Sequence, residues 1–364
     1  MQFRRNVTAG AGFFTRTLLL SAFVPLCMPA QAPNQEPAAP SAVVPEATKT
    51  ISIDVRVTDK LGHHIGGLKA EDFTLTDNKL ARPIVDFHEM NSRDSTDSAL
   101  HVIIVIDTIN TTAEVVARER EQLQEFLKQD GGRLSHQTSI AILTEKGAKL
   151  EPASTNDGAK LLSVLDANGT TLRSIGRSGG FWGATERLQW SLQQMTQLSE
   201  YEAKLPGRKL AFFLSPGWPM LVGAGIEEDE KQRQTTFRYI VGLTNGLRQA
   251  KLTLYTLDPF SLGRSDPFYY QTYLKGVPNA NKAEYPDLGL QVLAAHTGGL
   301  VQVDGMDILG EINNAMRDAD SWYTLTFEPP TPDKQNEYHD LHVQVKSPGA
   351  TVRTTSGYYA NVNY

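Results

Sequence analysis

The run His101-Val102-Ile103-Ile104-Val105-Ile106 constrains this chain more than any other stretch. It is short, apolar and mostly β-branched, with no alternation, so it offers no polar face to water. A strand of that pattern belongs inside a parallel sheet covered on both sides. The acidic, hydroxyl-rich loop Asp107-Thr108-Ile109-Asn110-Thr111-Thr112 follows at once, and then a helix over about Ala113 to Lys128, with Val115, Val116, Leu123, Phe126 and Leu127 on one side. In open α/β sheets, a loop at the carboxyl end of such a strand is where ligands bind.

Strand–helix alternation continues beyond it. Ser139–Leu143 reads as a strand, with Ala148–Leu150 as its hairpin partner. Helices are expected at Ala159–Leu165, Trp182–Glu202, Gln232–Ala250, Leu288–His296 and Asp307–Ala319. The apolar runs Lys209–Leu214, Leu252–Leu257 and Leu300–Val303 supply further buried strands. Both flanks have a different period. Ile51–Val57, Phe73–Asn78 and Ile84–Phe87 on one side, and Trp322–Phe327, His339–Val345 and Thr351–Thr354 on the other, read as sheet strands with one apolar face. Neither flank has enough strands to be stable alone, so the two are expected to pair into one small β-sandwich around the inserted α/β unit. The expected divisions are 1–32, 33–48, 49–97, 98–320 and 321–364.

The first two divisions carry no core. Arg4, Arg5 and Arg16 precede the apolar run Thr17–Leu26, and Ala30-Gln31-Ala32 places small residues where a signal peptidase reads. The run is too short to span a bilayer, so residues 1–32 read as a secretory signal peptide, giving a periplasmic or extracellular protein with no membrane span in its mature chain. Residues 33–48, rich in Pro, Ala and Glu, read as an extended linker. Removing the leader with its three arginines takes the formal charge from −6 to −9, which does not favour nucleic acid or an anionic membrane. The single cysteine, Cys27, lies in the leader, so disulfides, thiol catalysis and Cys-ligated zinc are excluded for the mature chain.

The order strand, Asp-loop, helix, hairpin, helices and further apolar strands resembles a von Willebrand factor A domain. The wider chain, over about 49–361, resembles a VWFA-related group common in Acidobacteria. The residues that carry this are Gly67-Leu68-Lys69-Ala70-Glu71-Asp72-Phe73 near the start and Gly357-Tyr358-Tyr359-Ala360 near the end. The resemblance implies a Rossmann-like, doubly wound α/β domain and a divalent-cation adhesion site at the top of its sheet. The family's Asp-x-Ser-x-Ser falls here on Asp107, Ile109 and Thr111, and Ile109 has no ligand atom. The family's later Asp falls on Pro216 of Ser215-Pro216-Gly217, and its Gly-rich loop on Ser178-Gly179-Gly180-Phe181-Trp182, with Phe181 in the Thr position. A hard cation needs several oxygens in near-octahedral array. The site therefore reads as degenerate, with Asp107 and Thr111 its remaining metal ligands, no cofactor expected, and Mg²⁺ the ion if one binds. Without a metal, Asp107 would cap the following helix.

Other candidates are weaker. Gly176-Arg177-Ser178-Gly179-Gly180 matches a nucleophile elbow in form, and Asp258 and His296 could complete a triad, but the preceding Thr170–Ile175 is too polar for the strand that motif needs. A Gly-rich loop is the plainer reading. His339 and His342 are three apart and face opposite sides of a strand, so they cannot share a metal. His63-His64 sits in a turn and reads as solvated. Asp258-Pro259 either lines the crevice beside Asp107 or opens a turn. Trp218 and the Phe181-Trp182 pair serve protein recognition if exposed and cover strand ends if buried. The loop from about Ser261 to Asp287 is long enough to be functional or disordered. These residues predict an exported, non-catalytic protein-binding or adhesion module, using Asp107, Asn110, Thr111, Ser178, Ser215, Trp218 and Asp258 at the top of the sheet toward a protein or cell-surface ligand. The alternatives are a divalent-cation-dependent adhesion domain with a non-standard site, or a serine hydrolase using Ser178.

Overall fold

Ile51–Thr58 (β1), Phe73–Asp77 (β2), Leu80–Arg82 (β3) and Ile84–Asn91 (β4) form the first flank. The α/β region follows as β5 (Leu100–Asp107), α1 (Ala113–Lys128), β6 (Arg133–Thr144), β7 (Gly147–Leu150), β8 (Thr155–Asp157), α2 (Gly158–Ala167), α3 (Gly180–Glu202), β9 (Arg208–Leu214), α4 (Glu230–Gln249), β10 (Leu252–Leu257), α5 (Leu290–His296), β11 (Val301–Gln302) and α6 (Ile308–Asp320). The second flank is β12 (Ser321–Phe327), β13 (Glu337–Val345), β14 (Thr351–Thr354) and β15 (Gly357–Ala360). This computed structural model describes residues 50–92, 100–150, 154–168, 179–223, 226–258, 268–302 and 307–361. The expected leader and linker, Ser178 and the loop up to Pro267 lie outside the described residues.

The central sheet has the order β11-β10-β9-β5-β6-β7, with β8 also on β6. Strands β11, β10, β9, β5 and β6 are parallel, and β7 and β8 run antiparallel against β6. β5 is interior, with β9 on one side and β6 on the other, as its unbroken apolar run requires. Alternate side chains feed the two layers. Ile103 and Val105 join Leu192, Leu198, Leu243 and Leu293 beneath α3, α4 and α5. Val102, Ile104 and Ile106 join Val116, Leu123, Leu165 and Ile312 beneath α1, α2 and α6. Gly298 closes α5 in a left-handed conformation (φ +78°), where a Cβ would strike the backbone of Thr354 at 2.7 Å.

The flanks mix strand by strand. One antiparallel sheet runs β14-β1-β12-β4 and a second runs β15-β13-β2-β3. Each contains strands from both ends of the chain: Val55 pairs with Tyr323 and Thr354, and Leu75 with Val343. Val55, Leu75, Tyr323, Leu325, Leu341 and Tyr358 form one shared core between them. Three strand features differ from the sequence expectation. β6 begins six residues earlier than Ser139, because Arg133 and Thr138 pair with β8, a short strand with no apolar signature. β3 is an exposed three-residue edge without a core face. The Gly-Tyr-Tyr-Ala segment is itself a strand, pairing Tyr359 with Tyr338.

Candidate functional site

The strand order reverses at β5, which has β6 on one side and the later β9 on the other. Doubly wound sheets open their ligand crevice at that switch point, outside the carboxyl ends of the two strands. Asp107 is the last residue of β5 and Ser215 the first after β9. The geometry joins them: Ser215 Oγ donates to Asp107 Oδ2 at 2.7 Å. Asn110 Nδ2 donates to the same oxygen at 2.9 Å and sends its other hydrogen to Ser191 Oγ of α3 at 2.9 Å. Asp107 Oδ1 accepts from the backbone N–H of Ile109 and Asn110 at 3.0 and 3.1 Å. The carboxylate thus receives four hydrogen bonds and has no solvent exposure. Burial raises its pKa, although the bonds from Asn110 and Ser215 act in the opposite direction.

Surrounding bonds hold this arrangement shut. Thr108 Oγ1 donates to the Leu143 carbonyl at 2.7 Å, pinning the loop to the end of β6. Gly217 N–H donates to Ser215 Oγ at 3.1 Å, and Gln291 Nε2 donates to the Pro216 carbonyl at 3.3 Å. Gly217 has φ +93°, and a Cβ there would lie 2.5 Å from the Gln291 amide, so only glycine permits the approach.

The placement corrects several expectations. Asp107 does not cap α1; Thr112 does, accepting from the Val115 N–H at 3.3 Å, while Asp107 organises the loop before it. Trp218 is buried in the core with Leu192 and Leu243 and offers no surface to a ligand. Thr111 and Asp258 are buried as well. Of the sequence-selected set, the structure brings Asp107, Asn110 and Ser215 into contact, and Ser178 lies outside the described residues. His296 lines a cleft with Leu252 and Thr253 at the start of β10, whereas Asp258 follows its end, about 16 Å away at ~3.3 Å per residue. Those two residues therefore do not form an acid–base pair. His339 and His342 do face apart: His339 is buried against Asp77, and His342 is solvent-exposed beside Asp340. His64 is not simply solvated, since its ring lies 5.3 Å from that of Tyr323.

Glu119 escaped the sequence reading. It sits on α1 three residues after Val116 and four before Leu123, on the stripe that faces the sheet. It is fully buried and neither carboxyl oxygen has a hydrogen-bond partner among the described residues. Burial, then repulsion from Asp107 and Asp258, pushes its pKa well above the usual glutamate range. The available signal was its place in the apolar i, i+3, i+7 spacing of α1.

Both oxygens of Asp107 face hydrogen-bond donors, Ile109 is part of the apolar core and Pro216 brings no carboxylate. Asn110 Oδ1 and Thr111 Oγ1 have no hydrogen-bond partner among the described residues. Among the described residues, no group of three His, Cys, Asp or Glu side chains is arranged to hold a metal, and no helix is long and apolar enough to cross a membrane.

The same edge also carries exposed aromatics. Trp182 is 81% exposed and Phe181 39%, their rings edge-to-face at 5.8 Å on the first turn of α3. Ser191 of that helix meets Asn110. Trp182 is nine residues earlier, ~13 Å further along the axis, so α3 overhangs the sheet edge.

Strand order and switch point define a doubly wound α/β fold with a mostly parallel central sheet. Solved structures with some likeness to it include von Willebrand factor type A from Catenulispora acidiphila (12% identity, 82% of this chain and 74% of that one, TM-score 0.33). Others are the human COPII-coat protein Sec24c (10% identity, 76% and 46%, TM-score 0.35) and the pilus adhesin SpaC from Lactobacillus rhamnosus GG (9% identity, 84% and 48%, TM-score 0.35). The chain spans about half the length of the last two. No protein-family model and no curated protein matches its sequence.

Proposed function

We propose that this chain is an exported, non-catalytic protein-recognition module: a von Willebrand factor A-type unit on a β-sandwich base that engages its partner without a metal. The strand order and the Asp-loop at the switch point support the A-type reading. The Gly67–Phe73 and Gly357–Ala360 patterns support the VWFA-related grouping, and the Arg-flanked apolar start supports export. One observation supports the functional reading most: the crevice position at the end of β5 is sealed by its own donors, while a tryptophan of a kind usually buried stands exposed on an overhanging helix end. Exposed aromatic anchors of that kind dominate protein interfaces.

The test is cross-linking capture of surface proteins from intact cells by the wild-type chain and by Trp182→Ala, with and without chelator. The expected result is a partner recovered by wild type, reduced about tenfold or more in Trp182→Ala, and unchanged by chelator. Equal recovery by the variant would remove the aromatic surface from the reading, and loss with chelator would remove its metal independence.

A further inference from the structure

Helix α4 carries a second organised face besides the one that packs on the sheet. Ile240, Leu243 and Leu247 are buried in the core. On the adjoining side, Thr235, Tyr239, Gly242, Gly246 and Gln249 follow one another at steps of four, three, four and three residues. That is the period at which one helix seats against another. Here the stripe lines a groove of about 550 Å³, open to solvent, whose far wall is the part of α3 that holds Ser199 and Glu200. Gly246 lets α3 come close, since a Cβ there would stand 3.2 Å from Ser199 Oγ. Gly242 has no such reason. It is exposed in mid-helix and a Cβ would meet nothing within 4 Å, so glycine weakens the helix there without serving a contact among the described residues. Opposite charges stand toward the two ends of the groove. Arg238, exposed one turn before Gly242, donates to Thr235 Oγ1 at 3.0 Å. Glu200, also exposed, follows Ser199 and so lies near Gly246, one turn after Gly242. Among the described residues neither makes an ion pair, and the eight residues from Arg238 to Gly246 hold them ~12 Å apart along α4.

A groove with a cation toward one end and an anion toward the other is complementary to itself when a copy is laid over it in reverse. We propose that a second copy of this chain occupies the groove, α4 against α4, about a two-fold axis at Gly242. Arg238 of each copy then lies over Gly246 of the other, four residues to either side of the axis, and meets the Glu200 carboxylate beside it. Tyr239 of each copy fills the space that the glycines leave open. Trp182 stands clear of this contact: Thr196, where the groove begins on α3, is fourteen residues further on, ~21 Å along the helix. The pairing is therefore separate from the aromatic recognition surface and gives the assembly two copies of it.

Sedimentation velocity of the full chain over a micromolar concentration series tests this. A reversible monomer–dimer equilibrium is expected, because two helix faces of this length make a small interface. Arg238→Glu and Glu200→Arg each set like charges opposite one another, twice per dimer, and should each raise the dissociation constant about tenfold. The double swap Arg238→Glu with Glu200→Arg should return it to the wild-type value. Gly242→Leu has open space within the monomer, so its Tm should not fall, while its dimer should weaken by more than about tenfold as the helices are forced apart. A chain that stays monomeric throughout the series, a double swap no tighter than the single reversals, or a Gly242→Leu variant that dimerises like wild type would overturn the proposal.

Discussion

Asp107 and Asp318 are both sealed inside the molecule, one at each end of the central sheet, and their surroundings are opposite. Asp107 is held by neutral donors, with buried Glu119, which both Asp107 and Asp258 repel, as an acidic neighbour. Asp318, near the end of α6, is ringed by cations. Arg56 of β1 donates to its Oδ1 at 3.1 Å, Arg353 of β14 donates to Oδ2, and Tyr255 Oη donates to Oδ2 at 2.9 Å. Arg208 adds a bond to the Asp318 carbonyl at 2.9 Å and lies over the Trp322 ring at 4.9 Å. Burial alone would raise the Asp318 pKa, but Arg353 and Arg56 bring it below the usual aspartate range. For Asp107 no cation among the described residues answers the burial, and the shift is upward. One end uses charge to lock two regions together, and the other keeps a carboxyl group in a pocket that resists ionisation. The second arrangement is the less stable kind, which is where functional sites tend to lie.

The largest test of this contrast is Asp318→Ala. It leaves Arg56 and Arg353 buried without their partner and should cost about 3–5 kcal/mol, measured by denaturant unfolding at neutral pH. A loss below about 1 kcal/mol would mean the network is ornamental. Glu119→Leu comes next and has the opposite sign. Removing an unpartnered buried carboxyl should stabilise the fold by about 1–3 kcal/mol near neutral pH.

The pH dependence separates the two ends further. Glu119 has a raised folded-state pKa, so the folded protein retains a proton that the unfolded chain releases. Its penalty is absent below the ordinary glutamate value of 4.5 and grows as pH rises from there toward the raised value. The Asp318 contribution runs the other way: it is fully present above the ordinary aspartate value of 3.8 and is lost as pH falls through the depressed one. Unfolding free energies of Glu119→Gln from pH 4 to 8 should therefore converge on wild type at the acid end and exceed it at the alkaline end. Parallel curves would sink the assignment. Ser215→Ala and Asn110→Ala each remove a donor to Asp107 and should each cost about 1–3 kcal/mol, less than additively when combined, because they serve one carboxylate. Smallest of all, Trp182→Ala should change stability by no more than about 0.5 kcal/mol, leaving any effect to partner binding.

Much of the frame was legible because its signals are local. The apolar run before Asp107 marked the interior strand, and α1 runs over the span its spacing predicts. The flanks were readable as incomplete sheets that needed each other, and Val55 paired with Tyr323 is that prediction made concrete. What the sequence concealed depends on partners far away in the chain. Ser215 was expected to face a ligand at the top of the sheet, but its hydroxyl donates to Asp107. Trp218 looked like a recognition residue, and only the packing of α3 and α4 shows it to be core. Glu119 was hidden because a charged residue on an apolar stripe is read as a gap in the pattern. Arg56, Arg353 and Asp318 gave no joint signal, since Arg56 lies 262 residues before Asp318 and Arg353 lies 35 after it in the other flank.

The interleaving of β1 and β2 with β12, β13 and β14 has a consequence for biogenesis. The hydrogen bond from Ser52 to Thr326 spans 274 residues, so the first strands are synthesised long before anything exists to zip against them. Until the final flank arrives, their edges stand open to other chains, and closing so large a loop is slow. The middle unit, whose contacts are mostly its own, can mature in the meantime and bring the two ends of the polypeptide within reach of each other. A truncation that removes only the last few strands should therefore yield a sticky, aggregation-prone product rather than a smaller native one.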